Sequence, residues 1–159
     1  MVPSLLMRVG IAGDHAGYAL KKVLAGAIAA EGHDVRDLGT DDPSKPSDYP
    51  DFAVLGCEAL RSKEVDRVVL VCGSGVGVSV AANKLPGVRA ALCHDTYSAH
   101  QGVEHDDMNA LCLGARIVGD ELAKEIVRSF LRAEYSREER HARRLGKVLA
   151  IEKRFLKEA

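Results

Sequence analysis

An aliphatic run that ends on a cysteine and leads directly into alternating glycines constrains the fold of this chain more than any other feature. Residues 68–71 read Val-Val-Leu-Val, Cys72 follows, and residues 73–77 contain three glycines. Four consecutive aliphatic residues, three of them β-branched, predict a strand buried on both faces, as in a parallel sheet. The glycines allow the next backbone amides to turn toward a ligand. With a helix beginning near Val76, the helix dipole favours negative charge there, on a bound anion or on the Cys72 thiolate.

Strand and helix patterns alternate along the chain. They predict strands over residues 8–12, 35–38, 68–72, 88–93 and 110–113, and helices over residues 18–31, 52–62, 76–83, 96–104 and 121–133. Three prolines make residues 39–50 a loop. Strands joined by helices require right-handed crossovers and a parallel sheet with helices on both faces. The predicted fold is α/β, a three-layer doubly wound (Rossmann-like) sandwich with a five-stranded parallel sheet. Residues 137–157 add a C-terminal helix beyond the sheet, against a partner subunit.

The size and composition of the chain predict one domain over residues 1–159. Of these 159 residues 47% are apolar, enough for a single core. Residues 1–7 carry no basic residue before a short apolar patch, so we expect a disordered extension rather than a signal peptide. No apolar run is long enough for a membrane span. Four cysteines without a Cys-x-x-Cys pair indicate free thiols in a reducing cytoplasm.

Charge excludes some partners and leaves others open. The formal net charge of −1 gives no overall attraction for nucleic acid or for an acidic membrane. From Ser136 onward, however, eight Lys/Arg stand against four Asp/Glu, which suits a small anion. Helical spacing predicts one face for Arg140, His141 and Arg144, where a bound dianion would relieve their mutual repulsion. A solvated basic face paired with neighbouring glutamates is the alternative.

Three known glycine motifs compete for the turn after Cys72, and spacing weighs against each. A Walker loop ends in Gly-Lys-Ser/Thr, and this turn has no lysine. A dinucleotide fingerprint requires glycine where Val78 stands, although Asp95 lies at a suitable distance downstream for a ribose contact. A cysteine phosphatase requires arginine at the same Val78. The six histidines lack metal-ligand spacing, so we expect no metal and no cofactor.

Several side chains are predicted at the carboxyl ends of strands, where open α/β sheets bind their ligands. Asp14, His15, Cys72 and Asp95 all fall there. A thiol at such a position, beside several amides, is favoured as thiolate, although a buried and inert cysteine is the alternative. Asp14 and His15 fit a simple turn equally well. The remaining cysteines are interpreted as plain core, namely Cys57, Cys93 and Cys112.

Six motifs in one order resemble the type B ribose-5-phosphate isomerases, and less closely the related galactose-6-phosphate isomerase subunits. The resemblance spans nearly the whole chain. It implies a parallel-sheet fold, a homodimer or dimer of dimers, and an active site shared between two subunits. The motifs are Gly13-Asp14-His15-Ala16-Gly17, Asp48-Tyr49-Pro50, Cys72-Gly73-Ser74-Gly75-Val76-Gly77, Ala81-Ala82-Asn83-Lys84, Gly114-Ala115-Arg116 and Arg140-His141.

The resemblance assigns a role to each matching residue. Cys72 is implied as the base that moves a proton between C1 and C2 of a sugar phosphate, and Ser74 takes the place of a threonine common in relatives. His105 is implied as the acid that opens the furanose ring, although a histidine that ends a helix is commonly just a favourable charge. Asp14 and His15 would contact substrate hydroxyl or phosphate. Backbone amides are implied to hold the enediolate oxygens at Gly73, Gly75, Val76 and Gly77, and further substrate contacts are implied for Tyr49, Asp106, Arg116, Arg140 and Arg144.

The expected reaction is a metal-independent interconversion of ribose 5-phosphate and ribulose 5-phosphate. One residue departs from the resemblance, because relatives usually carry asparagine where this chain has Asp106. Asparagine donates a hydrogen bond and an ionised aspartate does not, so a six-carbon substrate such as allose or galactose 6-phosphate is an alternative. A non-catalytic sugar-phosphate sensor is a third reading.

Overall fold

A computed structural model describes residues 5–156, in which strands and helices alternate. The strands are β1 (Arg8–Gly13), β2 (Asp34–Asp37), β3 (Arg67–Cys72), β4 (Ala90–Leu92) and β5 (Ala110–Gly114). The helices are α1 (Tyr18–Ala30), α2 (Tyr49–Arg61), α3 (Val76–Ala82), α4 (Thr96–Asp106), α5 (Asp120–Arg132) and α6 (Glu139–Phe155).

The five strands form one parallel sheet in the order β2-β1-β3-β5-β4. Strand β3 is central, and its residues 68–71 are fully buried, as their continuous aliphatic pattern predicts. Helices α1, α4 and α5 pack on one face, and α2 and α3 on the other. The predicted three-layer α/β sandwich with a five-stranded parallel sheet is confirmed.

Strand β4 is three residues long rather than the predicted six, and side chains bind the backbone where it begins. Asn83 receives a hydrogen bond from the Ala90 amide through Oδ1 (3.0 Å) and donates one to the Ala90 carbonyl through Nδ2 (2.9 Å). The amide of Arg89 donates to the side chain of Asn109 at 2.8 Å. The motif that contains Asn83 therefore completes a sheet edge, where no further strand among residues 5–156 pairs with β4.

Two helices differ from their predicted ends. Helix α2 begins at Tyr49 inside the predicted loop, since Pro50 stands in its first turn, where a missing N–H is tolerated. Helix α4 runs one half-turn beyond the prediction, and Asp107 ends it in the left-handed conformation (φ +50°). His105 and Asp106 therefore belong to the last helical turn.

A buried lysine anchors the loop that precedes α2. The Nζ of Lys21 donates to Asp37 Oδ1 (2.5 Å) and to the carbonyl of Thr40 (2.9 Å), and its side chain is fully buried. The amide of Gly13 also bonds to the Gly39 carbonyl at 2.8 Å. These contacts hold the start of the loop against the carboxyl end of β1.

The described residues near the two ends of the chain lie beyond the strands of the sheet. The C-terminal helix α6 packs on α4, as a helix beyond the sheet, and Lys157, the end of the prediction, lies outside the described residues. Part of the predicted disordered extension, residues 1–4, also lies outside them. Met7 is hydrogen-bonded to His33 and Asp34. Within residues 5–156, no helix is long and apolar enough to cross a membrane.

Candidate active site

A crevice of about 350 Å³ opens at the carboxyl ends of β1, β3 and β5. It brings together eight of the residues predicted to form a site, as expected for an open α/β sheet. The residues that line it are Asp14, His15, Ala16, Tyr49, Cys72, Gly73, Ser74, Gly77, Arg116 and Ile117.

The turn after β3 places a backbone amide on the sulfur of Cys72. Gly75 adopts the left-handed conformation (φ +80°), and its N–H donates to Cys72 Sγ at 3.1 Å. A Cβ on Gly75 would lie 2.5 Å from a methyl of Leu92 and 2.7 Å from the backbone of Leu113, so only glycine fits. The amide at the sulfur stabilises negative charge there, and Cys72 lines the crevice with 4% of its surface exposed.

Two amides of this turn are already hydrogen-bonded within the chain. This corrects the expectation that the amides of residues 73–77 are all available to hold a ligand. The Gly75 amide is on the Cys72 sulfur, and the Val76 amide donates to Ser74 Oγ at 3.2 Å. Within residues 5–156, the amides of Gly73, Ser74 and Gly77 donate no hydrogen bond. These three N–H groups are free to bind oxygen atoms of a ligand.

The other cysteines lie in the core, as predicted. Cys57, Cys93 and Cys112 are buried and unpaired. Burial raises the pKa of Cys57 to about 12. Burial, together with nearby Asp95, raises the pKa of Cys93 to about 11, and burial raises the pKa of Cys112 well above its ordinary value. Cys72 is therefore the cysteine that the fold presents to a ligand.

Asp14 and His15 serve both the turn and the crevice. Asp14 is 6% exposed, and its Oδ1 accepts from the Gly17 amide at 3.0 Å. The Nδ1 of His15 accepts from the Ser47 amide at 3.1 Å, and the His15 amide donates to Ser47 Oγ at 3.0 Å. Because Nδ1 accepts, neutral His15 carries its proton on Nε2 as a donor.

Two side chains lie close against glycines of the turn. A Cβ on Gly77 would approach the Tyr49 ring to 2.8 Å, and one on Gly73 would approach Nη1 of Arg116 to 3.0 Å. The guanidinium of Arg116 forms no ion pair with another described residue. It is thus a free cation at the mouth of the crevice.

Four predicted site residues lie elsewhere, namely His105, Asp106, Arg140 and Arg144. Helix α4 starts near the carboxyl end of β4, and its 11 residues extend about 16 Å back across the sheet. His105 therefore lies near the amino ends of the strands, beside α6. We call the group of His105, Asp106, Arg140, His141 and Arg144 the α4–α6 cluster.

The centre of the α4–α6 cluster is a stack of two imidazole rings. The rings of His105 and His141 are 3.9 Å apart between centroids and inclined by 26°. Burial, then the charges of His105 and Arg140, lower the pKa of His141, so its ring is neutral near pH 7. The Nδ1 of His141 bonds to Ser136 Oγ at 2.5 Å.

One prediction about charged residues is wrong. Arg140, His141 and Arg144 do not share one face, because His141 is 1% exposed while both arginines are exposed. Arg140 pairs with Glu138 at 3.1 Å. Asp95, at the carboxyl end of β4 as predicted, caps α4 by accepting from the Ser98 amide at 2.6 Å, and this hydrogen bond lowers its pKa.

The sequence analysis did not identify three residues that bond to histidine side chains, namely Ser47, Gln101 and Ser136. The i, i+4 spacing of Gln101 and His105 on α4 was a signal for their contact. Ser47 and Ser136 lie in loops, where spacing gives no such signal. Among the described residues, no group of three or more His, Cys, Asp or Glu could hold a metal ion.

The chain is similar over most of its length to several known proteins. The profile of the Ribose/Galactose Isomerase family matches residues 9–148. Ribose-5-phosphate isomerase B of Escherichia coli is 41% identical over 149 residues, covering 94% of this chain and 99% of that protein. D-erythrulose-4-phosphate isomerase 2 of Mycolicibacterium smegmatis is 35% identical over 150 residues, covering 93% and 99% respectively. The solved structure of Clostridium thermocellum ribose-5-phosphate isomerase B matches with a TM-score of 0.90 at 46% identity, covering 94% and 99%.

Alkylation of the native protein by iodoacetamide is expected to modify one thiol, that of Cys72, as read by peptide mass spectrometry. The crevice admits the reagent to this sulfur, whereas the other three thiols are in the core. The Cys72→Ser variant should take up no label until it is denatured. Labelling of Cys93 before Cys72 in the native protein would contradict this picture of the site.

Proposed function

Because this chain belongs to the ribose/galactose isomerase family, we propose that it interconverts ribose 5-phosphate and ribulose 5-phosphate through an enediolate, with Cys72 as the base. Family membership makes the chain an aldose–ketose isomerase of sugar phosphates. The five-carbon substrate and the roles of individual residues are the proposed part. The observation that carries them is the Cys72 sulfur at the wall of a crevice that also holds unused amide donors.

The reaction requires a base and a stabiliser of negative charge within one site. The proton on C2 of an aldose is weakly acidic, and its removal places charge on the oxygens of an enediolate. We assign removal of this proton, and its return to C1, to the Cys72 thiolate. Preorganised amides stabilise such an oxyanion by about 3 kcal/mol each, and the amides of Gly73, Ser74 and Gly77 are the candidates.

The remaining crevice residues bind and orient the sugar. Asp14 accepts a hydrogen bond from a substrate hydroxyl, and His15 donates one through Nε2. The hydroxyl of Ser74 bonds to an enediolate oxygen, and Tyr49 closes one side over Gly77. Arg116 attracts the anionic end of the substrate, because its charge is not neutralised by a described carboxylate.

The crevice of one chain lacks the other proposed groups, which supports a site completed by a second copy. His105 would open the furanose ring, Asp106 would contact the sugar, and Arg140 and Arg144 would bind phosphate. Exposed apolar residues on α3, at the end of β4, at the start of α4 and after β5 suit burial by a partner subunit. They are Val76, Val80, Leu92, Tyr97 and Ile117. A homodimer, or a dimer of dimers, supplies the α4–α6 cluster of one chain to the crevice of the other.

Other readings concern the sugar or the catalytic step. A relative at 35% identity is named for a four-carbon substrate, and Asp106 leaves a six-carbon aldose phosphate as a competitor. The five-carbon substrate is favoured because the compared proteins named for it are more similar, at 41% and 46% identity. A sensor that only binds sugar phosphate is disfavoured, because it gives no role to the Cys72 sulfur and its bond from the Gly75 amide. Four unpaired cysteines support the proposal of a reducing, cytoplasmic location.

Turnover of aldose phosphates with four, five and six carbons tests the proposed substrate. We expect the highest kcat/KM for ribose 5-phosphate, and the same rate after treatment with a chelator, since no step uses a metal. Each aldose is assayed by formation of its ketose under identical conditions. Higher kcat/KM for erythrose 4-phosphate or allose 6-phosphate would reassign the substrate, and tight binding without turnover would make the protein a sensor.

Complementation between inactive variants tests the shared site. Cys72→Ala and His105→Ala chains are each expected to be inactive as pure proteins. When the chains are unfolded together and refolded in equal amounts, half of the dimers are mixed, and one of two sites in each mixed dimer is intact. The mixture should recover about a quarter of wild-type activity, as two-fold symmetry requires. No recovery despite demonstrated mixed dimers would place both residues in sites of the same chain.

A further inference from the structure

One side chain that the proposed function does not use contacts the ring of His105. The Nε2 of Gln101 lies 2.9 Å from His105 Nδ1, one helical turn earlier on α4. The same ring stacks on His141 at 3.9 Å. The side chain of Gln101 is only partly exposed, and the side chain to which it bonds is that of His105. His105 is thus fixed on its edge by Gln101 and on its face by His141.

These contacts leave the other nitrogen of His105 available. The nearest carboxylate oxygen to His105 Nε2, Oε1 of Glu104, is 3.8 Å away, beyond hydrogen-bond distance. The side chain of His105 is 29% exposed. An imidazole that turned over about its χ2 torsion would put the carbon Cε1 in the place of Nε2 and lose the proton donor there. The bond to Gln101 prevents this and keeps Nε2 outward.

A carboxamide suits this position because it can bond to Nδ1 in both protonation states of the ring. Its NH₂ group donates to a bare Nδ1, and after a half-turn of the amide its oxygen accepts from a protonated Nδ1. A carboxylate bonds only to the protonated nitrogen, and an apolar side chain bonds to neither. Gln101 can therefore hold the ring when Nδ1 is bare and the proton is on Nε2. It can also hold the ring when Nδ1 is protonated, both in the imidazolium and in the neutral ring that remains after Nε2 gives up its proton.

We propose that Gln101 is a positioning residue for the opening of the sugar ring, an inference that rests on the proposed function of His105. In this step the C1–O4 bond breaks, and its electron pair takes the Nε2 proton of protonated His105 to form the O4 hydroxyl. The proton on O1 passes to water as the C1=O1 double bond forms. Gln101 touches neither the sugar nor the reacting atoms and acts through the direction of Nε2.

The chemistry of the two sugars separates ring opening from the transfer of the carbon-bound proton. Ribose 5-phosphate is mostly a furanose, which must open before C2 can lose its proton. Ribulose 5-phosphate cannot close a furanose ring, because its O5 carries the phosphate. Exchange of a C1 proton of ribulose 5-phosphate with solvent deuterium therefore needs the base and the amides but no ring opening. A residue that serves only ring opening affects the first reaction and spares the second.

The test compares both reactions in the full-length wild-type protein and in Gln101→Met and Gln101→Leu, two variants that occupy similar space without a polar group. We expect kcat/KM for ribose 5-phosphate to fall about tenfold, a part of the 10²-fold or greater loss expected for His105→Gln. Exchange at C1 of ribulose 5-phosphate should stay within about twofold of wild type. Gln101→Glu, which retains an acceptor for protonated Nδ1, should recover part of the loss, and His100→Met on the same helix should match wild type.

The outcomes separate this inference from the proposed function. Equal losses in both reactions for Gln101→Met and Gln101→Leu would show a general structural effect and overturn the positioning role, as would unchanged turnover of ribose 5-phosphate. If His105→Gln itself loses both reactions equally, the proposed role of His105 fails. If the wild-type protein does not isomerise ribose 5-phosphate, the proposed substrate fails. A selective loss in the Gln101 variants supports the inference.

Discussion

The hydrogen bond from the Gly75 amide to the Cys72 sulfur, at 3.1 Å, is the contact on which the candidate site depends. It requires a left-handed residue three positions after the end of β3, in a space that excludes a Cβ. The same turn starts α3 and leaves the amides of Gly73, Ser74 and Gly77 unbonded. A sulfur and several N–H groups therefore share one crevice because of a single backbone conformation.

Close packing around this turn brings the other crevice residues to it. The ring of Tyr49 and the guanidinium of Arg116 occupy space that side chains at Gly77 and Gly73 would need. Arg116 lies in the turn after β5, where its backbone amide donates to the Gly73 carbonyl at 3.0 Å. His15 arrives from β1 and is held by Ser47 from the anchored loop. Three strand ends and one loop thus converge because parallel strands share their carboxyl edge.

Much of this arrangement follows from local sequence patterns. The aliphatic run of β3 and the glycines after Cys72 predict a buried strand and a tight turn, and both are present. Alternation of strands and helices predicts the layers, and strand ends predict which side chains meet. These inferences succeed because burial and backbone freedom are set within a few residues.

The predictions that failed depend on contacts between elements that are separate in the sequence. Strand β4 begins at Ala90, where Asn83 from another element bonds to the backbone. The inward direction of His141 depends on how α6 packs on α4, and its ring is buried against His105. The roughly 16 Å length of α4 separates His105 from the crevice of its own chain, as expected for a helix that runs back across the sheet after β4. This separation makes a second copy necessary to the proposed mechanism.

The most direct measurement is incorporation of solvent deuterium at C1 of ribulose 5-phosphate by the Cys72→Ala protein. The account predicts no enzyme-catalysed incorporation, with sugar-phosphate affinity within about threefold of wild type, because the sulfur moves the proton while other groups bind the substrate. Incorporation at a rate near that of wild type would contradict the central claim that Cys72 is the base.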